Sequence, residues 1–216
     1  RGGILLTATK VEAMEFEQGR WSVKTTKGSF SAPSVVNAAG AWADQVAALA
    51  GADPLNIQPK RRTAMLVDLS AEFEFADWPL VVDVDEQFYL KPNAGQLLLS
   101  PADETPSEPC DAQADELDIA VAIDRISRAT SLEVSHIKHR WAGLRSFAPD
   151  HTFVVGQDSR REGFFWLAGQ GGYGVQSAPA LAQLTSHLLT QSTLVGDFKD
   201  IAAYKQAVSP ERFSKD

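Results

Sequence analysis

The segment Phe164-Phe-Trp-Leu-Ala-Gly169-Gln-Gly-Gly-Tyr-Gly174-Val constrains this chain more than any other. Its apolar run reads as a buried strand. Four glycines within Gly169–Gly174 read as a loop with little side-chain cover, and Gln176 to about Gln191, carrying Leu181, Leu184, Leu188 and Leu189, reads as a helix. Glycines let a backbone approach a ligand, and a helix N-terminus offers unpaired N–H groups with partial positive charge. Such a loop suits an anion or a polarised carbonyl; a tight strand-to-helix turn is the plainer alternative, but turning alone needs fewer glycines. Gly169, Gly171 and Gly174 also match G-x-G-x-x-G, which would make this a nucleotide-binding domain. That reading needs more strands after the helix and an acidic ribose ligand about 20 residues on. Only 42 of the 216 residues follow Gly174, and Asp197, near that offset, is preceded only by the weak run Thr193-Leu194-Val195. The loop closes a fold and does not open one.

A second strand–glycine–helix unit lies early in the chain. Ser34–Ala38 is a short apolar run ending in Ala39-Gly40, and Ala41 to Ala50 reads as a helix with Trp42, Val46 and Leu49 on one face and Gly51 as its stop. Before it, Ile4–Leu6, Lys10–Phe16, Trp21–Thr26 and the run at Phe30 read as strands, parted by Gly19 and Lys27-Gly28. The middle differs. Thr63–Leu69, Leu80–Val84, Gln87–Lys91, Gln96–Ser100 and His136–Leu144 are short β-like runs, with a hairpin at Pro92–Gly95. One helix, Asp111 to Arg128, has Leu117, Val121 and Ile126 near one stripe. Phe153–Gly156 adds a late strand, and residues 192–216 a short helix and a polar tail. The expected fold is mixed, α+β and α/β: residues 1–53 and 146–216 form an α/β domain around an inserted antiparallel-sheet domain, 54–145.

Composition narrows the partners. Twenty Lys+Arg against 28 Asp+Glu give a formal charge of −8, and the densest basic cluster is Lys60-Arg61-Arg62, so no nucleic-acid partner is expected. Cys110, the only cysteine, sits in a Pro-rich stretch without an activating neighbour and reads as an inert surface thiol. Of the histidines at 136, 139, 151 and 187, the first two are oddly spaced on a strand and face opposite sides. Asp111, Asp115 and Asp118 read as dipole partners at a helix start, so no metal site is expected. No apolar run approaches the ~18 residues of a membrane span and no leader pattern is present, so a cytoplasmic protein is expected. Two side chains remain as candidates. Arg145, in Trp141-Ala-Gly-Leu-Arg145 before Pro149-Asp150, offers a planar five-donor fork suited to a carboxylate, although most arginines are solvated or structural. Tyr89, in Phe88-Tyr-Leu-Lys-Pro92, either aims its hydroxyl into a pocket or covers the sheet.

Three motifs stand in one order: Val35-Val-Asn-Ala-Ala-Gly-Ala-Trp42, then Trp141–Arg145 with Pro149-Asp150, then Leu167-Ala-Gly-Gln-Gly-Gly-Tyr-Gly174 with Ala178-Pro179. Together they resemble the FAD-dependent D-amino-acid oxidase family, which includes glycine oxidase, sarcosine oxidase and related 2-hydroxyacid dehydrogenases. Ser209-Pro-Glu-Arg-Phe213 resembles the family's usual C-terminus. The resemblance implies FAD as cofactor, with Val11 at its adenosine part and Ala39, Gly40 and Trp42 lining the crevice. Gly169, Gln170, Gly171, Gly172, Tyr173, Gly174, Val175 and Gln176 would lie along the isoalloxazine ring, where helix N–H groups stabilise the anionic reduced flavin. It implies Arg145 as the anchor of a small carboxylate-bearing substrate, assisted by Tyr89. Hydride transfer to flavin N5 would then turn an amino or hydroxy acid into an imine or ketone. No general base stands out, and Gly172 replaces a side chain that touches substrate in some family members. Family members begin with a βαβ unit whose G-x-G-x-x-G turn holds the pyrophosphate. That unit is not in this sequence, so a C-terminal portion is expected, inactive alone and weak for FAD without the missing N-terminal region. The alternative is a non-catalytic interaction module, with an exposed crevice that drives homo-oligomer formation.

Overall fold

The computed structural model describes residues 2–69, 73–196, 198 and 200–214; Asp197 lies outside them. The chain divides into two compact units, Arg1–Gln58 with Ser146–Asp216 and Pro59–Arg145.

In the first unit, β1 (Val11–Glu17), β2 (Arg20–Thr25) and β3 (Gly28–Ala32) form an antiparallel meander. Alternation along β2 turns Trp21 inward, where it is 1% exposed. Its ring meets Phe16 and Phe164, with centroids 5.2 and 5.9 Å away. Its indole N–H donates to the Glu162 carbonyl at 3.1 Å, so the polar end of a buried aromatic is satisfied.

A second sheet of the same unit has the order β11 (Val154–Gln157), β12 (Phe164–Ala168), β4 (Val35–Asn37). β11 runs antiparallel to β12, whereas β4 runs parallel to it, pairing Val35 with Phe164 and Asn37 with Trp166. β12 is apolar throughout because both of its faces are covered. Phe164 and Trp166 pack with Ala43 and Ala47 of α1 (Ala43–Leu49), while Phe165 packs with Leu181 and Leu184 of α3 (Gly174–Thr190).

The second unit carries β5 (Gln58–Leu69), β6 (Val81–Val82), β7 (Tyr89–Asn93), β8 (Gln96–Ser100), β9 (Thr105–Pro106), α2 (Glu116–Ala129) and β10 (Val134–Phe147). Its sheet has the order β10-β5-β8-β7-β6, with β9 pairing β5 outside that path. A two-residue turn at Ala94-Gly95 joins β7 to β8. Met65, Val67, Leu90, Leu97 and Leu99 pack on Ile119, Ala122 and Ile126 of α2, which defines the covered face of this sheet.

Several expectations are corrected. Ile4–Leu6 is not a strand: Ile4 and Leu5 are each 86% exposed and pair with nothing regular. α2 starts at Glu116, not Asp111, because the Asp115 side chain accepts from Leu117 N–H at 2.9 Å and caps it. Asp111 thus precedes the helix. The buried stripe of α2 is Ile119, Ala122 and Ile126; Leu117 is exposed and Val121 only partly covered. α1 buries Ala43 and Ala47 and packs Val46 against the same core, while Leu49, and Trp42 just before the helix, are exposed. β9, within the Pro-rich stretch, was not expected; Pro106 is tolerated because the strand lies at an edge. The C-terminal segment holds α4 (Ile201–Val208) and a 3-10 turn, Pro210–Phe213.

Ile126 makes a direct test of the α2 seam. It is fully buried, so Ile126→Ala should cost about 2–5 kcal/mol of stability. Urea unfolding followed by circular dichroism checks this, and a loss below 1 kcal/mol would mean that α2 does not seal this core.

Candidate functional site

Parallel pairing sets the geometry of the first unit. Since Asn37 of β4 stands beside Trp166 of β12, the residues leaving both strands emerge at one end of the sheet: Ala39-Gly40 after β4 and Gly169–Gly174 after β12. Ligands of open α/β sheets bind outside such carboxyl ends. Asn37 holds the first turn. It is 2% exposed, donates from Nδ2 to the Ala43 carbonyl at 2.8 Å and accepts from the Ala39 N–H at 3.3 Å. Gly40 then takes φ +57°, with open space where a Cβ would stand. Next to it, Val11, Glu12, Trp42, Gln45, Val46 and Leu49 line an open groove of about 700 Å³. Exposed Trp42 and Leu49, with half-buried Val46 between them, make the groove apolar.

The second turn is fixed from below. Gly171 N–H donates to the Ser146 carbonyl at 2.9 Å, and Tyr173 N–H to the Gln170 carbonyl at 3.0 Å. Gly171 has φ +53°, and a Cβ there would stand 2.5 Å from the Phe147 ring. Glycine is required for both reasons. No side chain caps α3 at Tyr173, so the first-turn N–H groups of Gly174, Val175 and Gln176 have no partner within the helix. Tyr173 and Val175 are 57% and 94% exposed. An uncapped helix end and bare glycine backbone after β12, with an apolar groove lined by Val11 and Trp42 in the same unit, fit a flat aromatic group with carbonyls and developing negative charge. FAD is such a group.

The turn after β10 is tied to the C-terminus. Arg212 grips Asp150 through Nε at 2.7 Å and Nη2 at 3.1 Å, and Nη2 also donates to the Thr152 carbonyl at 2.9 Å. This two-pronged grip holds the Asp150 carboxyl below its ordinary value.

Arg145 and Tyr89 lie in the second unit. Arg145, near the end of β10, is half-buried, and no hydrogen bond or ion pair from it is found among the described residues. Burial, and then the neighbouring Arg62 guanidinium, push its basicity below that of a free arginine, while Tyr89, Glu104 and Asp103 act in the other direction. The Tyr89 hydroxyl likewise has no hydrogen-bond partner among the described residues. Alternation puts Tyr89 on the sheet face opposite Phe88 and Leu90, away from α2. Arg62 lies on that face too, opposite in sense to Met65 and Val67. It donates from Nε to the Asp103 carbonyl at 2.7 Å and from Nη2 to Glu104 Oε1 at 3.0 Å, while Lys60 takes Glu104 Oε2 at 3.0 Å. Partial burial raises the Glu104 carboxyl, but these cations hold it below its ordinary value. Asp103 is raised by burial, against the Thr63 N–H that donates to it at 2.6 Å.

The sequence reading missed Asn37, Phe147, Arg212 and Arg62. Asn37 left a trace, a polar residue inside a buried strand immediately before Ala-Ala-Gly. Among the described residues no three His, Cys, Asp or Glu side chains gather to hold a metal, and no helix is long and apolar enough to cross a membrane.

The comparisons agree with this geometry. The family described as "DAO: FAD dependent oxidoreductase" matches residues 1–188, and the chain belongs to it. FAD is that family's cofactor. The chain is 26% identical over 183 residues to the "FAD-dependent oxidoreductase domain-containing protein 1" of Xenopus laevis, covering 77% of this chain and 36% of the relative. It is 27% identical over 175 residues to the glycine oxidase of Pseudomonas putida, covering 81% and 46%. The L-proline dehydrogenase structure from P. horikoshii shares the fold, with a TM-score of 0.78 and 24% identity over 98% of this chain and 55% of that one. The chain thus spans about half or less of the length of these relatives.

Two outcomes test the supports of the loop. Gly171→Ala should cost about 1–3 kcal/mol, and adding Phe147→Leu should restore part of it in urea unfolding; no recovery would place the strain elsewhere. Asp150 is depressed on folding, so its contribution to stability is complete above its unfolded value, about pH 4, and is lost as acid titrates it. Asp150→Asn should accordingly flatten the acid limb of the stability profile, and an unchanged limb would show that the Arg212 grip carries none of it.

Proposed function

We propose that this chain supplies the flavin-lining turns and the substrate-anchoring sheet of an FAD-dependent oxidoreductase that oxidises a small amino or hydroxy acid. The observation that carries the substrate assignment is Arg145: a half-buried guanidinium with no acidic partner of its own. Buried charges are ordinarily paired, so this one awaits an anion from outside. A guanidinium takes a carboxylate through two parallel N–H···O bonds, which fix the acid's orientation as well as its position. Tyr89, with a free hydroxyl on the same sheet, adds a further donor to that carboxylate.

The glycine oxidase match supports an amino acid as substrate, and the family supports the redox class. Val11 would hold the adenosine end of FAD, Ala39, Gly40 and Trp42 would line its crevice, and residues 169–176 would lie along its ring. When bound, FAD supplies two-electron chemistry by accepting a hydride from the substrate α-carbon at N5, leaving an imine or a ketone. The chain's own part is to orient: Arg145 and Tyr89 fix the acid, and the uncapped N–H groups at Gly174–Gln176 favour negative charge at the ring edge. Fixing the acid in one orientation removes part of the entropic barrier to the transfer.

The test uses the full-length protein loaded with flavin. Glycine, sarcosine, D-alanine and 2-hydroxyglutarate are supplied in turn, and bleaching of the flavin absorbance is followed. At least one should bleach it. Arg145→Gln should raise that acid's KM about tenfold or more, and Tyr89→Phe roughly fivefold, with flavin content unchanged. An unchanged KM in the Arg145 variant removes the anchor from this assignment.

A further inference from the structure

The cation cluster beside Arg145 is larger than a single carboxylate requires. β5 and β10 are neighbours in the sheet, and Arg62 of β5 lies on the face away from α2 together with Tyr89. Arg62 is 13% exposed in its side chain. Its Nε holds the Asp103 carbonyl and its Nη2 holds Glu104, but Nη1 has no hydrogen-bond partner among the described residues. Nor does Arg62 have Glu104 to itself, since the other oxygen of that carboxylate belongs to Lys60. Asp103, the next acid along, directs its carboxylate to Thr63 N–H and Oγ1, towards the covered face.

The two guanidinium groups therefore belong to neighbouring strands, and the charge of one acts on the other. One has no acid, and the other has half of one. Like charges so placed cost energy unless an anion bridges or faces both. For stability alone, an apolar residue at either position would serve better.

We propose that Arg62 is a second anion-binding group of the Arg145 site, so that the substrate carries two acidic groups: a dicarboxylic amino or hydroxy acid. This rests on Arg145 as the anchor of the first carboxylate. Arg145 takes the carboxylate next to the reacting carbon, and Arg62, through Nη1, takes the distal one. The 103–104 segment, held by Nε and Nη2, keeps the Arg62 fork facing the open side of the sheet. Glu104 sets the threshold, because it competes for Arg62 with any weak anion and leaves Arg145 free for monoacids.

The experiment measures binding, not turnover. Glutarate and pentanoate have five carbons each and differ by one carboxylate, and neither has an α-amine or hydroxyl to be oxidised. Each is titrated by calorimetry into the flavin-loaded full-length protein. Glutarate should bind about tenfold more tightly than pentanoate. Arg62→Gln should erase that preference while leaving pentanoate within about twofold, and Arg62→Lys should keep part of it by retaining the charge. Equal affinity of the unsubstituted protein for the two acids overturns the proposal, whether or not the variants fold; so does a preference that survives Arg62→Gln. Arg145→Gln should weaken both acids together. If it weakens neither, the anchor reading itself fails, which is a separate result from loss of the glutarate preference.

Discussion

The parallel pairing of β4 with β12 is the constraint on which the first unit depends. Parallel strands send their chains out at the same end, so two glycine turns remote in sequence leave the sheet side by side. Were β4 antiparallel, Ala39-Gly40 would leave at the opposite end of the sheet. The pairing is secured on both faces of β12, by Phe164 and Trp166 against α1 and by Phe165 against α3. A slip of one residue would exchange those faces, moving each large ring into the wrong core. The register that places the loops is therefore protected by the bulk of three aromatic residues.

Much of this was legible in the sequence, and the reasons are local. Strand, glycine run and helix at 164–191 announce themselves because apolar runs, glycines and leucine spacing are each strong signals. The hairpin of 87–91 with 96–100 and its turn were equally plain. What failed was the assignment of faces on helices. In α1 and α2 the residues that look most apolar, Trp42, Leu49 and Leu117, are among the exposed ones, while alanines fill the seams at 43, 47 and 122. Close approach of a helix to a sheet selects small residues, and a hydrophobicity pattern ranks those last. Asp111 misled for a related reason: five residues rich in acid can precede a helix without belonging to it, and only the side chain that reaches a backbone N–H marks the cap.

The candidate site was legible in types and illegible in relations. Arg145 and Tyr89 could be singled out, but nothing in the spacing says that an arginine lacks an acid. That is a statement about what is not nearby, and it needs the positions of every carboxylate within reach. The same holds for Phe147, whose ring beneath Gly171 explains one particular glycine, and for Arg212, whose partner lies 62 residues earlier. Lys60-Arg61-Arg62 is the clearest instance. Read as a run it is merely basic. On a strand it splits, with Arg61 turned to Asp118 of α2 at 2.7 Å and Arg62 turned to the other face.

That split decides what the basic run is for. Arg61 faces acids that lie on the covered side of the sheet, so its charge is compensated within the fold, and exchange for a matched apolar group would cost little beyond repacking. Arg62 and Arg145 are differently placed: the first shares one carboxylate, the second has none, and burial weakens the water that would otherwise screen them. A fold shaped by stability alone would have moved Glu104 towards Arg145 or replaced one of the cations. Instead Glu104 is held by Lys60 and Arg62, and it acts on Arg145 through space without a hydrogen bond or ion pair to it. The uncompensated charge is then a cost to the free protein, and it is this cost that the proposed anion site would offset.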